Sequence, residues 1–384
     1  MTEVSSIHPW LLCWLKAESS GSGECSAPKT PEAWPAILDD SRCHGLVPLL
    51  CRAIESRSDW KVPTETATEL RRATAGIAAK NLLLADELRQ VLLAAQKGGL
   101  DCIPLRGVAL GSQLYGSVAA RPTGDIDLFV RRNQLGEIRE LFSELGYCEA
   151  EARSGFALEF YYALELFKER HGTVIAEPRW TLAYPPHTDR LTLESVRPRC
   201  TKTEIVGVPA VSLSCEDLIV HLCLHLLHHH RGAPFLWIYE LDRLMRSADV
   251  NWSVLISVVQ QARLQALVAA SIRRVRAHLE TPIPGGVLSE LGTGLPLSER
   301  KLVNLLTTTS PLKGREKLAT LIQPGPLGRK VRYVVSFVLP SPSFIRTQYG
   351  LSGWWQVALT YVWRIGYLTW HAVSGIARLI RDRR

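Results

Sequence analysis

Arg121-Pro-Thr-Gly-Asp125-Ile-Asp127-Leu-Phe-Val130 sets two carboxylates one residue apart inside what otherwise reads as a buried strand. Aspartate is poorly suited to strands, and a carboxylate is costly to bury unless something positive meets it. Residues i and i+2 of a strand share a face, so Asp125 and Asp127 converge on one point while Ile126, Leu128 and Val130 serve a core. A pair of hard oxygen ligands aimed at one point is what a divalent cation requires. Taken alone, the same pair also fits a turn or a surface ion pair.

The flanks read as a small α+β unit. Residues 102–106 form a short strand closed by Gly107, residues 108–115 a helix, and 116–124 a turn region. The strand 125–130 follows, then an amphipathic helix over 134–145, and two further strands over 157–167 and 173–180. Glu177, within the last strand, supplies a third carboxylate from a neighbouring position. Pro178 beside it places that segment at a sheet edge or a strand end. Arg106 and Gly107 end the first strand where a helix begins, a place where glycine lets phosphate approach backbone N–H groups and the helix dipole assists. Arg121 and Thr123 can hold phosphate oxygens, or else shape the turn and pair with Asp125.

Outside this unit the chain is helical. Residues 1–97 form a helical region with a flexible Ser/Gly/Pro segment near 19–36 and either one long helix or two over 64–97. Residues 98–212 hold the α+β core. Residues 213–307 form a helical domain, with periodic segments at 213–229, 236–246, 252–280 and 296–307. Residues 308–384 form a basic loop followed by an aromatic amphipathic extension. Between Leu351 and Ala377 the one formal charge is Arg364. Gln356, Thr360, Arg364, Tyr367, His371, Ser374 and Arg378 fall along one stripe, and basic residues close the chain. Three readings stay open: a helix packed on its own domain, a peripheral membrane or protein contact through 351–384, and a bilayer span that Arg364 would oppose.

Composition bounds the rest. The 384 residues are 46% hydrophobic and 21% charged, as in an ordinary globular protein, and the net charge of +8 fits a phosphate-bearing partner or a membrane surface. Nine scattered cysteines without a C-x-x-C pair read as reduced thiols of a cytoplasmic protein, one that can sit peripherally at the membrane. No P-loop, dinucleotide fingerprint or nucleophile elbow is present, which disfavours kinase, dehydrogenase and hydrolase chemistry. Basic residues are dispersed and no recognition module is evident, so specific nucleic-acid binding is not indicated. His221, His225 and His229 share a helical face with His228 and His230 beside them, and three imidazoles can bind zinc. The H-E-x-x-H arrangement is absent, and core histidines, or helix-cleft histidines facing the nucleotide site, are the preferred reading.

Leu105-Arg-Gly-Val-Ala-Leu110, Leu114-Tyr115, the 121–130 stretch, Gly146-Tyr147, Ala176-Glu177-Pro-Arg-Trp180, the 213–225 helix, Leu236-Trp237 and Asn251-Trp252 together resemble the uncharacterised nucleotidyltransferase family of the DNA polymerase beta superfamily. The resemblance spans roughly residues 45–285. It implies a minimal nucleotidyltransferase sheet domain with helical additions at both ends, Mg²⁺ or Mn²⁺, and a nucleoside triphosphate donor such as ATP. It implies transfer of the nucleotidyl group to a small-molecule, peptide or protein acceptor, often in biosynthesis of natural products or surface polymers. By family position Asp125, Asp127 and Glu177 are the catalytic metal ligands, and Gly107 opens the glycine turn, with Gly111-Ser112 as an alternative. Arg179, His221 and His225 become cleft residues. The chain departs from the family in Arg106, where lysine is usual, in Pro178-Arg179, where Leu-His is usual, and in Glu240, where aspartate is usual. These departures keep a second reading in view: a non-catalytic nucleotide-binding or interaction module that retains the fold.

Overall fold

The computed structural model describes residues 7–21, 25–149, 156–184, 187–228, 234–247, 250–295, 299–300, 303 and 327–381. Helices α1 (Pro9–Ser20), α2 (Trp34–Cys43), α3 (Val47–Ser56) and α4 (Thr64–Lys97) come first. The periodic stretch 64–97 is therefore one helix of 34 residues. Nothing within it breaks the backbone ladder, and Gly98 caps it. Trp10, Trp14, Trp34 and Trp60 cluster around α1, with ring centroids 5.0–6.4 Å apart.

The sheet is mixed, with five strands: β1 (Cys102–Pro104), β2 (Ile126–Val130), β3 (Cys148–Glu149), β4 (Leu166–Glu169) and β5 (Thr173–Arg179), in the spatial order β1-β2-β5-β4-β3. Strands β2 and β5 run parallel, and every other pairing is antiparallel. Helices α5 (Gly107–Tyr115) and α6 (Leu135–Glu144) connect the strands as their periodicity predicts. Ile126, Leu128 and Val130 pack with Leu84, Leu88 and Ile138 on the face covered by α4 and α6, while Phe129 joins the separate core beneath the helical half.

Several boundaries differ from the sequence reading. Strand β2 starts at Ile126, so Asp125 lies in the bend just before it. Strand β5 lies inside the sheet, so Pro178 does not mark an edge. It sits one residue from the strand's end, beyond the last β4 partner of β5, Ala176. The first part of the expected 157–167 strand is a short helix, α7 (Phe156–Phe160). Its Phe156 and Phe160 lie one turn apart and pack on Tyr333, a contact that no local pattern announces. After α8 (Leu193–Val196) comes a hairpin, β6 (Thr201–Ile205) and β7 (Val208–Ser212), joined through Val206 and Gly207, both at positive φ. Its signal was present in the alternation around a two-residue turn ending in glycine.

The helical half comprises α9 (Cys215–His228), α10 (Phe235–Met245), α11 (Trp252–Gln261), α12 (Gln265–Leu279) and α13 (Val287–Glu290). The 252–280 segment is two helices, because the chain turns at Arg263 with φ 49°. The expected 296–307 helix lies almost wholly outside the described residues, as does the expected 308–330 loop up to residue 326, while residues 327–330 of that loop are helical instead. The extension then folds as α14 (Leu327–Val338), α15 (Pro342–Tyr349) and α16 (Trp354–Arg381), so much of what reads as loop and extension is three helices. Among the described residues no helix is long and apolar enough to cross a membrane.

Candidate active site

Parallel pairing of β2 with β5 puts Asp127 directly opposite Glu177. Opposite residues of paired strands point to one face, and Asp125, two residues before Asp127, reaches the same side. Ligand oxygens of Asp125, Asp127 and Glu177 all lie within 4.8 Å of one another. Among the described residues this is the one cluster of three or more groups able to hold a metal.

The carboxylates titrate differently because their surroundings differ. Burial raises the pKa of Glu177 to about 7, with repulsion from Asp127 adding to it and Arg179 opposing it. Asp125 is also raised, by burial and by Asp127. For Asp127 burial acts the same way, but the charges of Arg106 and Arg179 and the hydrogen bond from Arg106 outweigh it, and its pKa falls below the ordinary value. Like charges this close cannot all ionise without a cation.

Two arginines face the cluster. Arg106, held at the junction of β1 and α5, donates through Nη2 to Oδ2 of Asp127 and through Nη1 to the imidazole of His225 on α9. Arg179, the last residue of β5, is fully buried, and its guanidinium lies 4.9 Å from the ring centroid of Tyr162 and 5.1 Å from that of Tyr184. Its Nη1 donates to the Tyr184 hydroxyl at 3.1 Å, which in turn lies 3.1 Å from Nδ1 of His225. A chain of polar contacts therefore runs from Asp127 through Arg106, His225 and Tyr184 to Arg179. Tyr184 carried no signal in the sequence, since the coil after β5 alone brings it back to the sheet.

That network is incomplete. Oδ1 of Asp127, Nε and Nη2 of Arg179, Nε of Arg106 and Nε2 of His221 are buried without a hydrogen-bond partner. Orphaned buried polar atoms are uncommon, and each costs about 1–3 kcal/mol if nothing meets it. Five of them around one cluster of carboxylates fit a site whose remaining partners are a cation and an anion. His221 is kept neutral, its pKa driven well below the usual imidazole value by burial and by Arg179 and Arg106.

Gly107 begins α5 at φ 62°, where a Cβ would come within 2.9 Å of the Thr123 methyl and 3.3 Å of the Asp125 carbonyl oxygen. Only glycine fits this turn, which brings the start of α5 against the backbone of Asp125. Gly111 lies inside α5, so the geometry selects Gly107 over the Gly111-Ser112 alternative.

Arg121 and Thr123 point elsewhere than the phosphate reading of the sequence expected. Arg121 donates through Nε to Glu240 of α10 at 2.6 Å, both side chains buried, and through Nη2 to the other carboxylate oxygen at 3.4 Å. Thr123 donates to the Arg121 carbonyl at 3.2 Å, and Asn81 of α4 donates to that same oxygen at 2.6 Å. Glu240 lies more than one hundred residues from Arg121, so no local pattern pairs them. These contacts brace the 118–125 turn against α4 and α10. His221 and His225 do face the cleft, while the side chains of His228, His229 and His230 fall outside the described residues.

A family model described as "Uncharacterised nucleotidyltransferase" matches residues 30–280. Two solved structures align with about half of the chain. The solution structure of the antibiotic-resistance factor ANT(2'')-Ia is 20% identical, with 52% of this chain and 96% of that one aligned at a TM-score of 0.32. An antigenic nucleotidyltransferase-like protein from Paracoccidioides brasiliensis is 14% identical, with 54% and 95% aligned at 0.35. Likenesses at this level carry no argument about chemistry. No curated protein matches the sequence.

Proposed function

The chain belongs to the uncharacterised nucleotidyltransferase family, and from that premise we propose that it moves a nucleoside monophosphate from a nucleoside triphosphate to an acceptor, using Mg²⁺ or Mn²⁺. The acceptor group is a hydroxyl or phosphate of a small molecule, peptide or protein. One observation carries the reading: three carboxylates, from two adjacent strands and the bend that leads into one of them, bring oxygens within 4.8 Å of one another, with Asp127 Oδ1 buried and unpartnered.

Asp125, Asp127 and Glu177 would hold the ions, which when bound neutralise phosphate oxygens and fix the triphosphate for in-line displacement. The acceptor oxygen forms a bond to the α-phosphorus while the bond to the bridging oxygen breaks, and pyrophosphate leaves. Glu177 either takes the acceptor proton or completes the metal shell. Arg179 offers Nε and Nη2 to an anionic oxygen, with a guanidinium already oriented by two tyrosine rings. The start of α5 offers backbone N–H groups beside Asp125. A cytoplasmic setting belongs to the same proposal, supported by nine dispersed cysteines without a C-x-x-C pair.

Incubation with each labelled nucleoside triphosphate, Mg²⁺ or Mn²⁺ and candidate acceptors is expected to release pyrophosphate, and Asp127→Asn is expected to abolish it. Equal release from the variant would sink the proposal. A second reading has its own observation: Arg106 already bonds Oδ2 of Asp127, an oxygen that a metal would compete for. If calorimetry shows nucleotide binding at the same affinity with and without metal, the chain is a non-catalytic binding module.

A further inference from the structure

Helix α16 turns Tyr361 and Arg364 toward α14 and α15 and leaves most of its described apolar side chains exposed to solvent. On α16, Arg364 donates through Nη2 to the Phe337 carbonyl at 2.9 Å and through Nη1 to the Tyr349 hydroxyl at 3.1 Å. Tyr361 donates to the Pro340 carbonyl at 2.5 Å, and Val357 is buried on the same side. Trp355, Leu359, Val362, Trp363 and Trp370, spaced along the other face of the helix, are exposed, Val362 by 70% and Trp370 by 71%. Val331 and Val334 of α14 are exposed as well. Of the polar stripe, Arg364 packs on the neighbouring helices while Tyr367 is exposed, and the apolar face has no cover among the described residues. A surface helix ordinarily does the reverse.

Charge is distributed just as unevenly. From Leu327 onward there are nine lysines and arginines and one acidic residue, Asp382. The preceding 326 residues carry thirty-six of each sign, so the whole net charge of +8 belongs to this segment.

We infer that α14–α16 form a membrane-docking surface that seats its tryptophan face in the headgroup region of an anionic bilayer. Tryptophan favours that depth, aliphatic side chains between the rings suit acyl chains, and basic residues add attraction to acidic lipids. A second copy of this chain is a poor occupant, because two faces sharing this excess of positive charge would repel. Single-stranded nucleic acid would need ring faces free to stack its bases, whereas here Trp363 stacks on Tyr367 and Leu359 and Val362 stand between the exposed tryptophans. The segment is tied to the catalytic half. Tyr333 of α14 packs on Phe156 and Phe160, and Arg332 pairs with Glu159 at 2.7 Å.

Co-sedimentation of the full chain with phosphatidylcholine vesicles, with and without about 30% phosphatidylglycerol, tests this. Binding to the anionic vesicles is expected, at least roughly tenfold tighter than to neutral ones and weakened by salt. Trp355→Ser/Val362→Ser/Trp363→Ser, whose circular dichroism should match the parent because these side chains are exposed, is expected to lose roughly tenfold or more. A second variant, Lys330→Gln/Arg346→Gln, should weaken binding to anionic vesicles alone. Failure to bind either vesicle, or undiminished binding by the triple variant, overturns the proposal. So does self-association or oligonucleotide binding that the triple variant abolishes while vesicles capture nothing.

Discussion

Two groups of buried charges sit against the same five-stranded sheet and are completed differently. At the β3–β4 side, Glu87 of α4 is fully buried, and its two oxygens accept from the Tyr147 hydroxyl at 2.9 Å, Lys168 Nζ at 3.1 Å and Arg170 Nη1 at 2.5 Å. Burial favours its neutral form, yet these bonds hold its pKa below the ordinary carboxylate range. At the centre, Asp125, Asp127 and Glu177 face Arg106 and Arg179, and donors and acceptors are left over on both sides. The first group ties a helix to a sheet and needs nothing more. The second is held in place by its strands rather than by mutual satisfaction, which is how a binding site differs from a structural ion pair.

Mutations should separate the two. Asp127→Ala is expected to lower metal-dependent pyrophosphate release by at least the ~10²–10³-fold that loss of one preorganised charge produces. Glu87→Ala should lose about 1–3 kcal/mol in urea unfolding, chiefly because the buried Tyr147 hydroxyl loses its acceptor while Lys168 and Arg170 can turn to solvent, and kcat/KM of the folded fraction stays unchanged. The comparison breaks if Glu87→Ala silences turnover at full stability. Arg179→Met should lower kcat/KM roughly 10–100-fold, as expected for charge-assisted bonds to an anion, with little change in melting temperature. A large drop in stability with intact turnover would make Arg179 structural.

The smallest effect is a pH dependence. Glu177 has a folded pKa of about 7 against an ordinary 4.5. Between those values the folded metal-free protein keeps a proton that the unfolded chain has released, so its stability falls as pH rises through that window. Metal must displace the same proton, so Mn²⁺ affinity measured by calorimetry should strengthen as pH rises through about 7 and flatten in Glu177→Gln. The Glu87 group, already charged and paired, should contribute no such step.

The carboxylate triad, the glycine turn at Gly107 and the division into a sheet unit and a helical half could be read from the chain. Period-2 and helical spacing are local properties, and two aspartates in an apolar strand conflict with propensity strongly enough to be noticed. The pairing of Arg121 with Glu240, the Tyr184 link between Arg179 and His225, and the docking of Tyr333 on α7 could not be read, because each joins segments far apart in sequence. Thus the sequence by itself determined which residue types were available for metal and phosphate chemistry and on which strand face the aspartates lie. Only the tertiary structure decided which arginines meet the carboxylates and which are absorbed into the scaffold. Charge placement depends on distances across the sheet and from sheet to helix, and those distances are set by packing rather than by spacing along the chain.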